Sequence, residues 1–268
     1  MELCMRLPTI FIPHGGGPCF FMDWQPPHAW DNTAAFLRAM LADLPQRPRA
    51  IALISAHWLE SDFSVGAHPQ PPLIYDYAGF PPHTYQLRFP AAGDAALAAD
   101  IHDLLIRAGL KARIDPHRGL DHGVFVPLLV AMPQADIPVV PISLRRDLDP
   151  VAHLAAGAAM ASLRDQGVLI VGSGMSFHNM RGYGDPRFGP ISDRFDAWLS
   201  ETVELSPTER TRRLGDWASA PDARLCHPPR AEEHLLPLMM VAGASSGPGR
   251  RVFSDRVMET TLSAFRFD

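Results

Sequence analysis

The chain has little cysteine: its 268 residues include only Cys4, Cys19 and Cys226. These are too few and too scattered for a disulfide framework, and none forms a CxxC zinc motif. Thiols outside disulfides are typical of a reducing compartment. We therefore expect a cytoplasmic protein with reduced cysteines, in which Cys19 is a small buried thiol and not a nucleophile.

Dense basic stretches and long apolar runs are also missing. The formal net charge is -5, from 24 Lys and Arg against 29 Asp and Glu. Phosphate binding needs clustered positive charge, so we expect no nucleic-acid partner. Every apolar run is interrupted well before the roughly 18 residues of a membrane span, and the first residues lack a signal-peptide pattern. We expect no membrane contact, and a monomer or small homo-oligomer.

What the chain does contain is an α/β pattern with abundant proline. Hydrophobic residues make up 47% of the sequence, and most of the 27 prolines fall between the periodic segments. Short β-branched apolar runs alternate with helical patterns, which indicates an α/β sheet covered by helices on both faces. The predicted strands are 8–12, 50–55, 63–66, 112–114, 137–143 and 168–172. The predicted helices are 29–42, 94–107, 124–131, 150–163, 187–204, 207–215 and 231–242.

Two segments do not fit this alternation. The tail 251–267 favours a final strand, although 258–262 would also fit a helix. The segment 69–90 is rich in proline and cannot be a regular element, and long ordered loops of this kind often cover a site.

Three of the twelve histidines directly follow predicted strands: His14 in IPHGGGP, His57 in LISAHW and His178 in VLIVGSGMSFHN. In open α/β sheets, ligands bind just beyond the carboxyl ends of the strands. Neutral imidazole is the commonest protein ligand for divalent transition metals. We therefore predict one mononuclear metal centre at these strand ends, with the glycines 15–17 allowing a close backbone approach.

Two further histidines begin predicted helices, His122 in GLDHGVFVPL and His234 in HPPRAEEHLLPLM. The helix dipole disfavours a protonated imidazole there, so each is available as a ligand or a base. Any one of the five would be equally well explained as a buried structural histidine, but all five together would not. Five others have no partner pattern and are interpreted as surface or structural residues: His28, His68, His83, His102 and His153. His117 and His227 stay undecided.

These motifs, in this order and spacing, resemble the class III (LigB-type) extradiol ring-cleavage dioxygenases, and most of all the 4,5-DOPA extradiol dioxygenase branch. The resemblance covers essentially the whole chain. It implies one LigB-like α/β domain over 1–268, with a central mixed sheet flanked by helices. It also implies an oxidoreductase of aromatic catabolism that inserts both atoms of O2 into a catechol and gives a ring-opened hydroxy-semialdehyde.

Carried over residue by residue, the resemblance implies His14, His57 and His234 as metal ligands. His178 would be a fourth ligand or an acid/base residue, and His122 an acid/base or substrate-binding residue. The metal would be Fe(II), with Zn(II) as the alternative native or as-purified metal, and no organic cofactor is expected. The protocatechuate branch of the family has a glutamate as its third ligand; here Glu232, Glu233 and His234 occupy that helix, and the DOPA-type pattern favours His234.

Two other functions remain open from the residues alone. A zinc hydrolase could use the same histidines, with Glu232 or Glu233 as base. A non-catalytic binding module would have lost ligands, and this chain retains all five histidines. For the substrate, the aromatic residues of the proline-rich loop could wall the ring pocket, and Arg181 could bind a carboxylate or form a surface salt bridge. Those aromatic residues are Tyr75, Tyr77, Phe80 and Tyr85.

Overall fold

The computed structural model describes residues 5–268, so Cys4 lies outside the described residues. One mixed sheet of eight strands runs through the domain, in the order β4-β3-β5-β2-β6-β1-β8-β7. The strands are β1 (Thr9–Pro13), β2 (Ala50–Glu60), β3 (Phe63–Gly66), β4 (Ala112–Asp115), β5 (Val139–Arg145), β6 (Val168–Gly174), β7 (Gly249–Val257) and β8 (Thr260–Phe267). The four central strands β5, β2, β6 and β1 are parallel to one another.

Helices cover both faces of this sheet. They are α1 (Asp31–Ala39), α2 (Ala95–Arg107), α3 (His122–Ala131), α4 (Pro150–Met160), α5 (Gly189–Glu204), α6 (Pro207–Gly215), α7 (Ala223–Cys226) and α8 (Leu236–Gly243). Alternate residues of β2 enter two separate cores, because successive side chains of a strand point to opposite faces. Ile51 and Leu53 pack on the face of α1 and α3, whereas Ala52 and Ile54 pack on the face of α2, α4, α5 and α8. The prediction of an α/β sheet covered on both faces is confirmed.

The prediction that β2 ends at Ser55 was wrong. The strand continues to Glu60, because Leu59 and Glu60 pair with Leu144 and Arg145 of β5 after an irregular stretch that follows Ile54. His57 therefore lies inside β2, within that irregular stretch. An interruption of regular pairing of this kind redirects a side chain, and such features are common next to active sites.

The helix predicted over 231–242 begins later, at Leu236. Pro237 has no amide hydrogen, so the carbonyl of Glu233 lacks its helical partner. The carbonyl of His234 instead accepts a hydrogen bond of 2.9 Å from the backbone N–H of Met175 at the end of β6. His234 thus belongs to a turn that is fastened to the sheet.

The tail forms two strands, where the sequence favoured one. β7 and β8 make an antiparallel hairpin that turns at Met258 and Glu259, both with positive φ. The helical alternative for 258–262 was wrong, because Thr260 and its successors pair with β7 and β1. Among the residues that the structure describes, none of the helices is long and apolar enough to cross a membrane.

Candidate metal centre

The parallel strands bring the predicted histidines to one edge of the sheet. β1 pairs with β6 up to Pro13 opposite Gly174, so His14 follows at that edge. β2 pairs with β6 up to Ser55 opposite Ser173, and His57 lies two residues further along. The turn after His14 adopts left-handed backbone at Gly15 and Gly17, with φ of 86° and 56°, as expected for this glycine run.

His14, His57 and His122 form one tight group. A ring nitrogen of each lies within 4.8 Å of one from both others. The Nε2 atoms of His14 and His57 are 3.0 Å apart, and the ring centroids of His57 and His122 are 3.9 Å apart. Gly123 makes this approach possible, since a Cβ there would lie 2.9 Å from Cδ2 of His57.

His178, Glu233 and His234 form a second group against the first. The rings of His178 and His234 stack, with centroids 3.4 Å apart and planes inclined by 11°. The His234 centroid is 5.2 Å from that of His14 and 4.9 Å from that of His57. The structure therefore brings all five histidines singled out from the sequence into one cluster.

Two carboxylates orient the rings. Glu233 Oε1 lies 3.0 Å from Nδ1 of His234. Asp76 Oδ1 accepts hydrogen bonds from the Nδ1–H of His122 at 2.8 Å and from the backbone N–H of His122 at 2.9 Å. Asp76 Oδ2 is also 3.7 Å from Nδ1 of His57. Such carboxylates fix the ring orientation and leave Nε2 free for a metal or a proton.

Sequence reasoning missed Asp76. The residue lies in the proline-rich loop, 46 positions from His122 in the chain, and no local pattern marks it. The one signal was the expectation that this loop covers a site. The backbone of His57 is held separately: its N–H donates to Ser55 Oγ at 3.1 Å, and that hydroxyl donates to Asp121 Oδ1 at 2.6 Å.

The cluster favours neutral imidazoles. Burial, with repulsion from His57 next, holds the pKa of His14 well below its ordinary value. Burial and then His122 lower the pKa of His57 to about 3 and that of His178 to about 4. Burial followed by repulsion from His178 also puts the pKa of His234 well below its usual range. Neutral rings have the free lone pairs that metal binding requires.

The donor set fits a divalent transition metal. Two nitrogen ligands at about 2.0–2.1 Å from one ion lie roughly 3 Å apart, and the Nε2 atoms of His14 and His57 are separated by 3.0 Å. Nδ1 of His14 has no hydrogen-bond partner among the described residues, so this ring lacks the support that Asp76 and Glu233 give to His122 and His234. The carboxylates beside His122 and His234 complete the usual surroundings of a histidine-bound metal.

A small cavity of about 210 Å³ opens onto the cluster. Its floor is formed by the five histidines and the turn Gly15–Gly17. Its wall is apolar and aromatic, and consists of Trp24, Trp30, Phe80, Met175, Met180, Tyr183 and Met258.

Of the four loop aromatics considered as a pocket wall, only Phe80 lines this cavity. Tyr75 and Tyr77 donate their hydroxyls to the carbonyls of Leu87 and Thr84. Both rings pack against Phe125, and the ring of Tyr77 also lies 5.7 Å from that of His122. Tyr85 packs against the rings of Tyr75 and Tyr77. Arg181 is exposed and lies outside the lining, so the carboxylate-binding role considered for it has no support from its position.

Other histidines and cysteines have structural positions. His153 is buried, accepts the backbone N–H of Arg145 at Nε2 and donates to the carbonyl of Asp149. His227, undecided from sequence, is buried and donates from Nε2 to the carbonyl of Ser176. Cys19 is buried, and burial raises the pKa of its thiol, which agrees with an unreactive residue.

Comparison with known proteins identifies the class. Residues 8–265 match the family model of the catalytic LigB subunit of aromatic ring-opening dioxygenase. The chain belongs to this LigB family of dioxygenases. The fold agrees: the crystal structure of an uncharacterized protein from Escherichia coli K12 superposes with a TM-score of 0.79 at 26% identity, covering 98% of this chain and 100% of that one.

Named relatives narrow the class further. A dioxygenase named tasH from Hapsidospora irregularis is 41% identical over 256 residues, which cover 89% of this chain and 78% of that protein. The 4,5-DOPA dioxygenase extradiol of Beta vulgaris is 37% identical, covering 88% and 86%. The protein of that name from Escherichia coli K12 is 31% identical, covering 90% and 86%. The chain is thus an extradiol ring-cleavage dioxygenase with a metal cofactor, an aromatic substrate and O2.

Proposed function

We propose that this enzyme cleaves a catecholic ring next to its two hydroxyl groups and releases a ring-opened hydroxy-semialdehyde. One observation carries the proposal: five histidines converge at the floor of one small apolar cavity in a chain of the LigB family. The cavity suits a single planar ring, and its apolar wall would exclude water from the reacting atoms.

We propose His14, His57 and His234 as the metal ligands, with His178 as a possible fourth ligand. The proposed metal is Fe(II), with Zn(II) as the alternative. When bound, Fe(II) would supply the redox chemistry that couples a catechol to O2, which side chains cannot supply themselves. An all-histidine donor set also suits Zn(II), and metal analysis of the purified protein distinguishes the two.

His122 is the proposed acid/base residue. Its Nδ1–H donates to Asp76, which leaves Nε2 unprotonated and able to accept a proton from a catechol hydroxyl. The carboxylate of Asp76 would stabilise the imidazolium that results, as the aspartate of a catalytic triad does. His122 is only 6% exposed, so the proton would remain in the cavity until it is returned to the substrate.

His178 is the second proposed acid/base residue. It lines the cavity and stacks on His234, and burial, with repulsion from His122 next, lowers the pKa of its imidazole to about 4. A neutral ring there could hold a proton from the substrate only briefly, which suits a group that must return it. Its geometry, unlike that of His122, includes no carboxylate hydrogen bond to a ring nitrogen among the described residues.

The test is oxygen consumption by anaerobically reconstituted enzyme. Protein loaded with Fe(II) should consume O2 with a catechol and produce a coloured ring-opened product. Protein loaded with Zn(II) should not, because zinc is redox-inactive. If no member of a panel of catechol, protocatechuate, gallate and DOPA gives O2 uptake with Fe(II), the proposed reaction is wrong. Hydrolysis of esters or amides by the Zn(II) form would then favour the hydrolase.

A further inference from the structure

The wall of the cavity differs in character from its floor. Above the histidines the cavity is lined by three methionines, Met175, Met180 and Met258, together with Trp24, Trp30, Phe80 and Tyr183. Methionine is flexible and polarizable, and it makes favourable contacts with the edges of aromatic rings. Such a wall suits the apolar portion of a ring and any hydrocarbon group attached to it.

Two of the three polar side-chain groups in this wall already have hydrogen-bond partners, and the third, the buried indole N–H of Trp30, has none among the described residues. The indole N–H of Trp24 donates to Sδ of Met258 at 3.4 Å. The hydroxyl of Tyr183 donates to the carbonyl of Phe177 at 2.9 Å, and the rings of these two residues pack edge to face with centroids 5.4 Å apart. A carboxylate that entered the wall would therefore lose its water and meet one unpaired donor, the Trp30 indole N–H, which does not replace the hydration of a full charge.

An anionic substituent would meet no cationic side chain in the cavity. Every residue that lines it is described, and none is Lys or Arg. Asp76 and Glu233 hold histidines of the floor. Arg118, whose positive charge contributes to the lowered pKa of His57, is already paired. It donates to Asp121 Oδ2 at 2.6 Å and lies 4.7 Å from the ring of Trp58.

The volume limits the size of the substituent. At about 210 Å³ the cavity is smaller than the roughly 300–1,000 Å³ of sites for drug-sized ligands. One ring with a side chain of a few carbon atoms fills such a space. Met180, at 72% exposure, lies at the mouth, so the end of such a substituent would lie against its side chain.

We infer that this dioxygenase selects catechols that carry a short uncharged, apolar substituent and discriminates against those that carry a carboxylate. The inference rests on the proposed function, because it assumes that the two hydroxyl groups face the histidines. Met175, Met180 and Met258 would contact the apolar substituent and so determine the substrate class. In this preference the chain would differ from relatives whose names specify an amino-acid substrate.

The test compares two substrates of nearly equal shape, 4-isobutylcatechol and 3,4-dihydroxyphenylacetate, with catechol as reference and the Fe(II)-loaded enzyme. We expect kcat/KM for the isobutyl compound to exceed that for the carboxylate by about tenfold or more. Equal values, or a preference for the carboxylate, would overturn the inference and leave the dioxygenase function intact. Cleavage of none of the three, while DOPA, protocatechuate or gallate is cleaved, would overturn the inference alone, and O2 uptake with none of these catechols would overturn both.

A second experiment introduces a cation at the mouth. Met180→Arg should raise the ratio of kcat/KM for 3,4-dihydroxyphenylacetate to that for 4-isobutylcatechol by about tenfold, since the guanidinium would pair with the carboxylate. Met5→Arg is the matched control, because Met5 is also exposed and precedes β1 at the opposite edge of the sheet. Its ratio should equal that of the wild type. An unchanged ratio in Met180→Arg would contradict the assignment of Met180 to the substrate-binding wall.

Discussion

Replacement of Asp76 by asparagine tests how the centre is oriented. The carboxylate accepts two hydrogen bonds from His122, at 2.8 Å from Nδ1–H and 2.9 Å from the backbone N–H, and lies 3.7 Å from Nδ1 of His57. Asparagine keeps the shape and one acceptor oxygen but removes the negative charge. The imidazolium of His122 then loses its counter-charge during proton transfer.

The expected decrease in kcat follows from the hydrogen bond that the substitution weakens. Hydrogen bonds to a charged group contribute about 1.5–3 kcal/mol. Loss of this stabilisation in the transition state corresponds to a decrease in kcat of about 10- to 100-fold. Removal of a carboxylate that accepts a hydrogen bond from a metal-bound histidine usually has an effect of the same size. KM for a catechol should change little, because Asp76 does not line the cavity.

Steady-state O2 uptake by the Fe(II)-loaded variant measures both constants. Asp103→Asn is the matched control, since Asp103 also pairs with a histidine, Nδ1 of His102 at 3.0 Å, but on the surface of α2. That variant should retain wild-type kcat. Asp76→Asn with an unchanged kcat, or with a loss that Asp103→Asn reproduces, would refute the reasoning.

Three further predictions follow from the same structure. Gly123→Ala should lower metal affinity and destabilise the fold by about 1–3 kcal/mol, because the new Cβ would lie 2.9 Å from both Cδ2 of His57 and Oγ of Ser55. Metal titration and urea unfolding measure these two effects. Wild-type values in both experiments would contradict the close contact between Gly123 and His57. His122→Ala should retain the metal but lose most of kcat, whereas His57→Ala should lose the metal. Equal metal loss in the two variants would contradict the acid/base role of His122 and indicate that it is a ligand. The free energy of unfolding should fall as the pH drops from 7 to 5. In this range His153 takes up a proton in the unfolded chain, where its pKa is about 6.5, but not in the folded chain, where burial lowers its pKa to about 4. That group alone accounts for about 2 kcal/mol, and His153→Gln should show a correspondingly smaller loss in urea unfolding at the two pH values; identical losses would contradict it.

The parts of the site that local sequence determines could be predicted. His14 and His178 follow continuous apolar strands, and the register of β1 with β6 then brings the ends of those strands to one edge. The parallel, doubly covered sheet follows from the alternation of apolar runs with helical patterns. These predictions needed only local periodicity and the rule that ligands bind at the carboxyl ends of strands.

The remainder depended on contacts between distant segments. Asp76 reaches His122 across 46 residues, from a loop whose course no periodicity defines. The late start of α8 arises because the carbonyl of His234 bonds to Met175, a contact that depends on where β6 ends. The extension of β2 past Ser55 likewise requires the pairing partners Leu144 and Arg145 on β5.

The central claim is that the five histidines form one mononuclear centre. The number of metal ions bound per chain tests this claim most directly. The cluster contains two groups that could each hold an ion, His14, His57 and His122 on one side and His178, Glu233 and His234 on the other. Anaerobic titration with Fe(II), followed by elemental analysis, should give one ion per chain for the wild type and close to none for His57→Ala. Two ions per chain, or one ion retained by His57→Ala, would contradict the account.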